Sequence, residues 1–213
     1  MKLYVYDHCP YCVRAMMVAN YKQITHETRY LLNDDEKSCY DLIGAKMLPI
    51  LEFDNQSAMG ESLDIVDKLN EIGATERVLL PKTDVNRFLE PLDKANFAIN
   101  GLLFPRNVAL GLPEFATQEA IDYFTAKKSA VLGFSFEQAM SNTASYIKEV
   151  ESVLDSLPEL SAGDALSYDD VLIFPTLRNL TMVEGLRMPA HIVRYLERIS
   201  VMTAVPLYYD KAI

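Results

Sequence analysis

The first twelve residues hold the feature that most restricts the fold, a pair of cysteines placed where a strand pattern gives way to a helix pattern. Residues 3–6 form a short aromatic and β-branched run typical of a strand, and a helical spacing of apolar residues begins at Tyr11. The segment Cys9-Pro10-Tyr11-Cys12 spans the junction. A chain that begins this way needs a strand followed directly by a helix whose first turn carries both thiols.

The next sixty residues continue the alternation of strands and helices. The pattern predicts strands over residues 24–32, 49–53 and 58–59, and helices over residues 38–43 and 61–72. Asp54-Asn55-Gln56 supplies turn chemistry between the last two strands. This order predicts a small mixed sheet flanked by helices, an α/β fold.

After residue 72 the strand signals nearly vanish. Gly73-Ala74-Thr75, Pro81 and Thr83-Asp84 are typical of a linker, and helical periodicity then dominates, clearest over residues 146–157 and 191–202. Leu166-Ser167-Tyr168-Asp169-Asp170 predicts a capped helix start, with Ser167 at the N-cap and Asp170 three residues on. We therefore expect an α/β domain at 1–72, a linker at 73–84 and an all-helical domain at 85–213.

Composition narrows the class of partner. The chain carries 30 acidic against 20 basic residues, a net charge of −10, which argues against binding to nucleic acid or to anionic membrane surfaces. Three cysteines leave at least one unpaired, as is usual in a reducing compartment. We find no secretory signal at the N-terminus and no apolar run long enough for a membrane span, and we expect a soluble cytoplasmic protein.

The Cys-x-x-Cys segment has a chemical interpretation that follows from its position. A thiol at a helix N-terminus meets free backbone N–H groups and the positive end of the helix dipole, which favour the thiolate. We expect Cys9 to be an exposed nucleophile and Cys12, one turn further, to attack a mixed disulfide formed on Cys9. Pro10 suits the first helical position, and Arg14 adds positive charge. His8 is expected to be an exposed loop residue.

Two other interpretations of the pair carry less weight. Tetrahedral zinc needs four ligands, and the chain has no second cysteine pair, so we expect no metal site. A chance meeting of two core cysteines is common in general but fits poorly with a strand–helix junction. Cys39 stands alone and is expected to be a buried or half-buried free thiol without a role.

Together with the Cys9–Cys12 segment, four further segments resemble the bacterial glutaredoxin 2 subfamily. These are Leu31-Leu32-Asn33-Asp34-Asp35, Pro49-Ile50-Leu51, Glu61-Ser62-Leu63-Asp64-Ile65-Val66 and Phe174-Pro175-Thr176-Leu177-Arg178-Asn179-Leu180-Thr181. The resemblance implies a thioredoxin-like N-terminal domain and an all-α C-terminal domain, the architecture of glutathione transferases. It covers nearly the whole chain.

The resemblance also implies a glutathione site. Pro49 matches a cis-proline that faces the active cysteine, and the backbone of Leu48 would pair with the cysteinyl part of glutathione. Glu61 and Ser62 match an acidic-serine pair that holds the γ-glutamyl group, although a plain helix cap is the ordinary interpretation of such a pair. Pro10 and Tyr11 would flank the tripeptide. Lys46 or Lys22 would meet its glycine carboxylate.

The function implied is that of a glutathione-dependent thiol–disulfide oxidoreductase. Glutathione would be a co-substrate, with no tightly bound cofactor, and the other partners would be glutathionylated or disulfide-containing proteins. We expect a monomer. Two alternatives stay open at this point: a cysteine-type glutathione transferase, against which the second thiol argues, and a non-enzymatic iron–sulfur carrier.

Overall fold

The computed structural model describes residues 1–160 and 163–213. Its N-terminal part is built on a four-stranded sheet of order β2-β1-β3-β4. The strands are β1 (Lys2–Val5), β2 (Glu27–Tyr30), β3 (Ile50–Glu52) and β4 (Ala58–Met59), and the helices are α1 (Pro10–Tyr21), α2 (Glu36–Ile43) and α3 (Ser62–Ile72). β1 pairs in parallel with β2 and antiparallel with β3, which confirms the predicted mixed sheet.

The second strand is shorter than predicted. We expected it over residues 24–32, but the backbone N–H of Ile24 donates to the carbonyl of Ala19 and so still belongs to the end of α1. At the other end, the N–H of Asp35 donates to the carbonyl of Leu32, which begins the turn into α2. We predicted a longer strand because apolar residues continue beyond both points where the backbone leaves the sheet.

The rest of the chain is helical where the structure describes it. Apart from an isolated bridge between Leu80 and Ser167, residues 73–160 and 163–213 contain no strand. The helices are α4 (Asn86–Lys94), α5 (Asn96–Ala109), α6 (Gln118–Leu132), α7 (Phe136–Ser141), α8 (Thr143–Ser156), α9 (Tyr168–Leu180) and α10 (Ala190–Thr203), with 3₁₀ turns at Pro113–Phe115 and Tyr209–Lys211. None of the described helices is long and apolar enough to cross a membrane.

Helix α9 begins as predicted and sits against the N-terminal part. The Ser167 side chain accepts from the N–H of Asp170, and the Asp170 side chain accepts from the N–H of Ser167, a complete capping box. Tyr168 donates its N–H to Leu80, which fixes this helix start to the connecting segment. Both α9 and α10 pack on α1, so the first helix is enclosed by the sheet on one side and the helical part on the other.

Candidate functional site

Cys9 and Cys12 lie where the sequence placed them, at the start of α1. Cys9 is the N-cap residue and Pro10 occupies the first helical position, so the helix begins between the two thiols. Cys9 is half-buried rather than exposed as predicted, whereas Cys12 is fully buried and accepts the backbone N–H of Tyr6 on its Sγ at 3.4 Å. One thiol thus faces outward and the other stands behind it.

The two thiols differ in acidity in opposite directions. Hydrogen bonding from the Cys12 thiol lowers the pKa of Cys9 to about 6 against its burial, with further help from His8 and from the N–H groups of Cys12 and Tyr11. Burial and the neighbouring Cys9 raise the pKa of Cys12. At neutral pH the arrangement therefore holds a thiolate on Cys9 and a protonated thiol on Cys12, which is the division of labour that thiol exchange needs.

The loop before Cys9 is held by the helical part of the chain. Arg178 on α9 donates to the Asp7 carbonyl at 2.7 Å and to its carboxylate at 2.5 Å, and its guanidinium is completely buried. Tyr208 donates to the same carboxylate at 2.7 Å. Burial alone would raise the pKa of Asp7, but Arg178 and Tyr208 outweigh it and lower the pKa. An ion pair thus ties the two parts of the chain together two residues before Cys9.

His8 is buried, so the prediction that it would be an exposed loop residue is wrong. Its backbone N–H and its Nδ1 both contact Oε1 of Glu114, and Asn179 on α9 donates to its carbonyl at 2.6 Å. The reason is tertiary: the 3₁₀ turn Pro113–Phe115 lies over the loop and excludes water from it. Nothing in the local sequence marks Glu114, whereas Arg178 and Asn179 lie in one of the segments that carried the resemblance.

Cys9 opens onto a cleft of about 820 Å³ between the two parts of the chain. The N-terminal wall includes Cys9, Pro10 and Tyr11. The helical wall combines apolar side chains with amides and amines, namely Leu103, Phe104, Phe124, Val131, Asn96, Asn100, Asn107, Asn179, Lys127 and Lys128. A cleft of this size admits a peptide or small disulfide next to the thiolate.

Four of the predicted glutathione contacts lie outside the walls of that cleft, namely Leu48, Pro49, Glu61 and Ser62. Leu48–Pro49 is a cis peptide bond, and Pro49 is buried directly before β3. Glu61 is exposed and adopts a φ of 63°, an uncommon conformation for a residue other than glycine, and its side chain caps nothing. Ser62 is buried and receives a long contact of 3.4 Å from Arg14. The ordinary helix-cap interpretation of Glu61-Ser62 therefore lacks its hydrogen bond.

The two lysines suggested for the glycine carboxylate differ in whether they reach the cleft. Lys46 lines the cleft, where its Nζ donates to the Tyr6 hydroxyl at 2.8 Å, and burial lowers its pKa. Lys22 is buried at the end of α1 and donates to the carbonyl of Arg77, so it does not reach the cleft. Lys46 is the candidate that the structure leaves.

Cys39 is a buried free thiol, as predicted. Its Sγ contacts the Asp35 carbonyl inside α2, and it does not line the cleft. Within residues 1–160 and 163–213, no group of three or more histidine, cysteine or acidic side chains is arranged to hold a metal ion.

Comparison with known proteins gives consistent matches over the whole chain. Residues 88–212 match the family model described as glutaredoxin 2, C terminal domain, and residues 3–77 match that of the glutathione S-transferase N-terminal domain. Glutaredoxin 2 of Escherichia coli K12 is 36% identical over 218 residues, covering all of both chains.

Solved structures agree in fold. The structure of glutaredoxin 2 from Salmonella typhimurium in complex with glutathione is 36% identical, covers 100% of this chain and 98% of its own, and superposes with a TM-score of 0.89. A glutathione transferase from Phanerochaete chrysosporium is only 14% identical, covers 94% of this chain and 96% of its own, and has a TM-score of 0.64. The second likeness concerns the fold alone.

Proposed function

Because the chain belongs to the glutaredoxin 2 family, we propose that Cys9 is the nucleophile of its glutathione-dependent thiol–disulfide exchange and that Cys12 is the resolving thiol. The family membership makes the protein a glutaredoxin; the assignment of individual residues is ours. One observation carries this assignment: two thiols with opposite pKa shifts lie together at the start of α1. The half-buried Cys9 has a lowered pKa, and the buried Cys12 has a raised one.

The exchange proceeds through two displacements at sulfur. The Cys9 thiolate attacks the glutathione sulfur of a mixed disulfide; the new S–S bond joins Cys9 to glutathione, and the other thiol leaves with the electron pair of the broken bond. A second glutathione, as thiolate, then attacks the sulfur of the bound glutathione, so that oxidised glutathione departs and the Cys9 thiolate returns. For a protein disulfide, Cys12 displaces the substrate from Cys9 and the enzyme is left as an internal disulfide.

We further propose that glutathione lies along the β3 side of Cys9 and extends toward α3. The backbone of Leu48, directly before the cis-proline, would pair with the cysteinyl unit as an added strand. Ser62 and the N-terminus of α3 would receive the γ-glutamyl carboxylate, with Arg14 close to Ser62, and Glu61 would face its ammonium group. Pro10 and Tyr11 would flank the tripeptide, and Lys46 would meet its glycine carboxylate.

Replacing Cys12 by serine separates the two routes. We expect Cys12→Ser to keep reduction of glutathione mixed disulfides within about tenfold of wild type, because that route needs only one enzyme thiol. Reduction of a protein disulfide by the intramolecular route should disappear. Parallel assays of a glutathionylated peptide and a disulfide-bonded protein measure the split, and an equal loss in both would contradict the role of Cys12.

The alternative of a cysteine-type transferase shares the two-domain plan, and an activity comparison distinguishes it. We expect reduction of hydroxyethyl disulfide to exceed conjugation of chloro-dinitrobenzene, because a thiolate backed by a second thiol serves exchange rather than alkylation of glutathione. A ratio in favour of conjugation would reverse the assignment.

We also propose a domain organisation, an oligomeric state, a location and a class of partner for this protein. We retain the domain division at 1–72, 73–84 and 85–213, a monomeric state, a cytoplasmic location, and glutathionylated or disulfide-containing proteins as partners. The packing of α9 and α10 on α1 supports a monomer, since the helical part covers a face of the N-terminal part that would otherwise be exposed.

A further inference from the structure

His8 and Glu114 form a buried pair beside Cys9 that the two displacements above do not use. Both the backbone N–H of His8, at 3.0 Å, and its Nδ1, at 2.5 Å, contact the same oxygen, Oε1 of Glu114. The Glu114 side chain is fully buried. Because Oε1 already accepts the backbone N–H, we place the proton of the second contact on Nδ1, with Oε1 as its acceptor.

The other ring nitrogen of His8 is left free to exchange a proton. Among the residues that the structure describes, none forms a hydrogen bond to Nε2, and the His8 side chain lines the cleft into which Cys9 opens. Three aromatic rings surround the imidazole, with centroids at 5.8 Å for Tyr6, 5.2 Å for Phe115 and 5.3 Å for Phe124. Aromatic neighbours stabilise a cation as well as a neutral ring, so both forms of the imidazole fit.

A proton carrier at this position would assist both displacements. An aliphatic thiolate expelled in the first displacement is basic, with an ordinary thiol pKa of about 8.5, and it leaves faster when it is protonated. In the second displacement the incoming glutathione is mostly a thiol at neutral pH and has to lose its proton. One proton is therefore given in the first step and recovered in the second.

We propose that His8 carries this proton and that Glu114 is the positioning residue that orients its ring. This inference rests on the proposed function. In the first step the imidazolium gives the proton on Nε2 to the departing thiolate and becomes neutral, with Nδ1–H still bonded to the Glu114 carboxylate. In the second step Nε2 takes the proton of the incoming glutathione thiol. The sum is one mixed disulfide and one glutathione consumed, with one thiol and one oxidised glutathione formed.

The other ionisable groups around the pair are already committed. Those that face His8 or Glu114 are Tyr6, Asp7, Cys9, Cys12, Tyr30 and Tyr208. Burial raises the pKa of each of the three tyrosines, Asp7 is held ionised by Arg178, and Cys12 stays protonated. Cys9 is the nucleophile itself. The Nζ of Lys46, which also lines the cleft, donates to Tyr6, Asn33 and Asp35, so among these groups we assign the imidazole as the carrier.

The basicity of the leaving thiol tests the proposal. We would measure the first displacement alone, as release of the leaving thiol in a single turnover without added glutathione. His8→Gln would be compared with the wild type on two mixed disulfides of glutathione, one with an aliphatic thiol and one with an acidic aryl thiol that departs without a proton. The expected loss is about 100-fold for the aliphatic substrate and less than about threefold for the aryl one. A purely structural role of His8 could also change the thiolate fraction of Cys9. Such a change affects both substrates equally, so it cancels in the ratio of the two losses. His26→Gln, the same change at the start of β2, should leave both rates unchanged.

Glu114→Gln provides the second arm. A glutamine can keep an acceptor oxygen at the position of Oε1 while the negative charge is lost. We therefore expect the rate on the aliphatic substrate to fall by about tenfold relative to the rate on the aryl substrate. A third measurement needs no variant: the wild-type rate of the first displacement across a series of leaving thiols should depend only weakly on the basicity of the leaving thiol. Equal losses on both substrates, no loss on either, or a steep wild-type dependence would overturn the proposal. Failure of Cys9 as the nucleophile would show instead in Cys9→Ser.

Discussion

Replacing Cys9 by serine is expected to abolish turnover of glutathione mixed disulfides, with a loss on the order of 10⁴-fold or more. The reason is chemical: a serine hydroxyl is not ionised at neutral pH and forms no disulfide, so both displacements lose their central atom. Reduction of hydroxyethyl disulfide coupled to oxidation of glutathione measures the effect. Mass spectrometry after one equivalent of a glutathionylated peptide should find glutathione on Cys9 of the wild type and no adduct in the variant.

The matched control is Cys39→Ala. Cys39 is buried in α2 and does not line the cleft, so its removal should leave activity within about threefold of wild type. Substantial turnover by Cys9→Ser would mean that another group performs the displacement, and it would remove the basis for every residue role given above.

Replacing Arg178 by leucine is expected to lower the free energy of unfolding by about 3–5 kcal/mol. The guanidinium is completely buried, and its removal leaves the Asp7 carboxylate with the Tyr208 hydroxyl but without a cation. The carbonyls of Asp7 and Pro206 lose the guanidinium as donor. Tyr208 also loses the guanidinium, whose Cζ lies 4.2 Å from its ring centroid. Urea denaturation followed by circular dichroism measures the loss.

Arg187→Leu is the control for that prediction. Arg187 forms two hydrogen bonds with Asp155, at 3.0 and 2.6 Å, but both side chains are about half exposed, and such pairs contribute about 1 kcal/mol or less. If the two variants lose the same free energy, the Arg178–Asp7 pair is not the tie between the parts of the chain that its burial indicates.

Acid should weaken the same tie. The folded-state pKa of Asp7 is lowered, so the stability it contributes is present above the ordinary carboxyl pKa and is lost as the pH falls through the lowered value. Arg178→Leu should therefore lose less stability between pH 7 and pH 3 than the wild type does, since its Asp7 no longer has a cationic partner.

Local sequence predicted the N-terminal chemistry well, because its signals are local. The strand that ends before Cys9, the proline at the first helical position and the spacing of the thiols are all contained in twelve residues, and the structure places them accordingly. The capping box of α9 was predictable for the same reason, since Ser167 and Asp170 are three residues apart.

The environment of Cys9 was not predictable in this way. His8 was expected to be exposed because its neighbours in sequence are polar or small, whereas its burial depends on Glu114, 106 residues away, and on Asn179, 171 residues away. Contacts of such separation leave no periodic or spacing signal in one chain. The segment around Arg178 and Asn179 is one of those that resemble the glutaredoxin 2 subfamily. The structure gives a physical reason for that resemblance, because these side chains hold the loop that carries Cys9.

The pH dependence of Cys9 alkylation tests the central claim most directly. Iodoacetamide reacts with the thiolate, so the rate of modification at Cys9, located by mass spectrometry, follows its ionisation. Because the Cys12 thiol, His8 and the helix N-terminus lower the pKa of Cys9 to about 6, the rate should be half-maximal near that pH and nearly constant above neutrality. A midpoint near 8.5, the value of an ordinary thiol, would contradict the account.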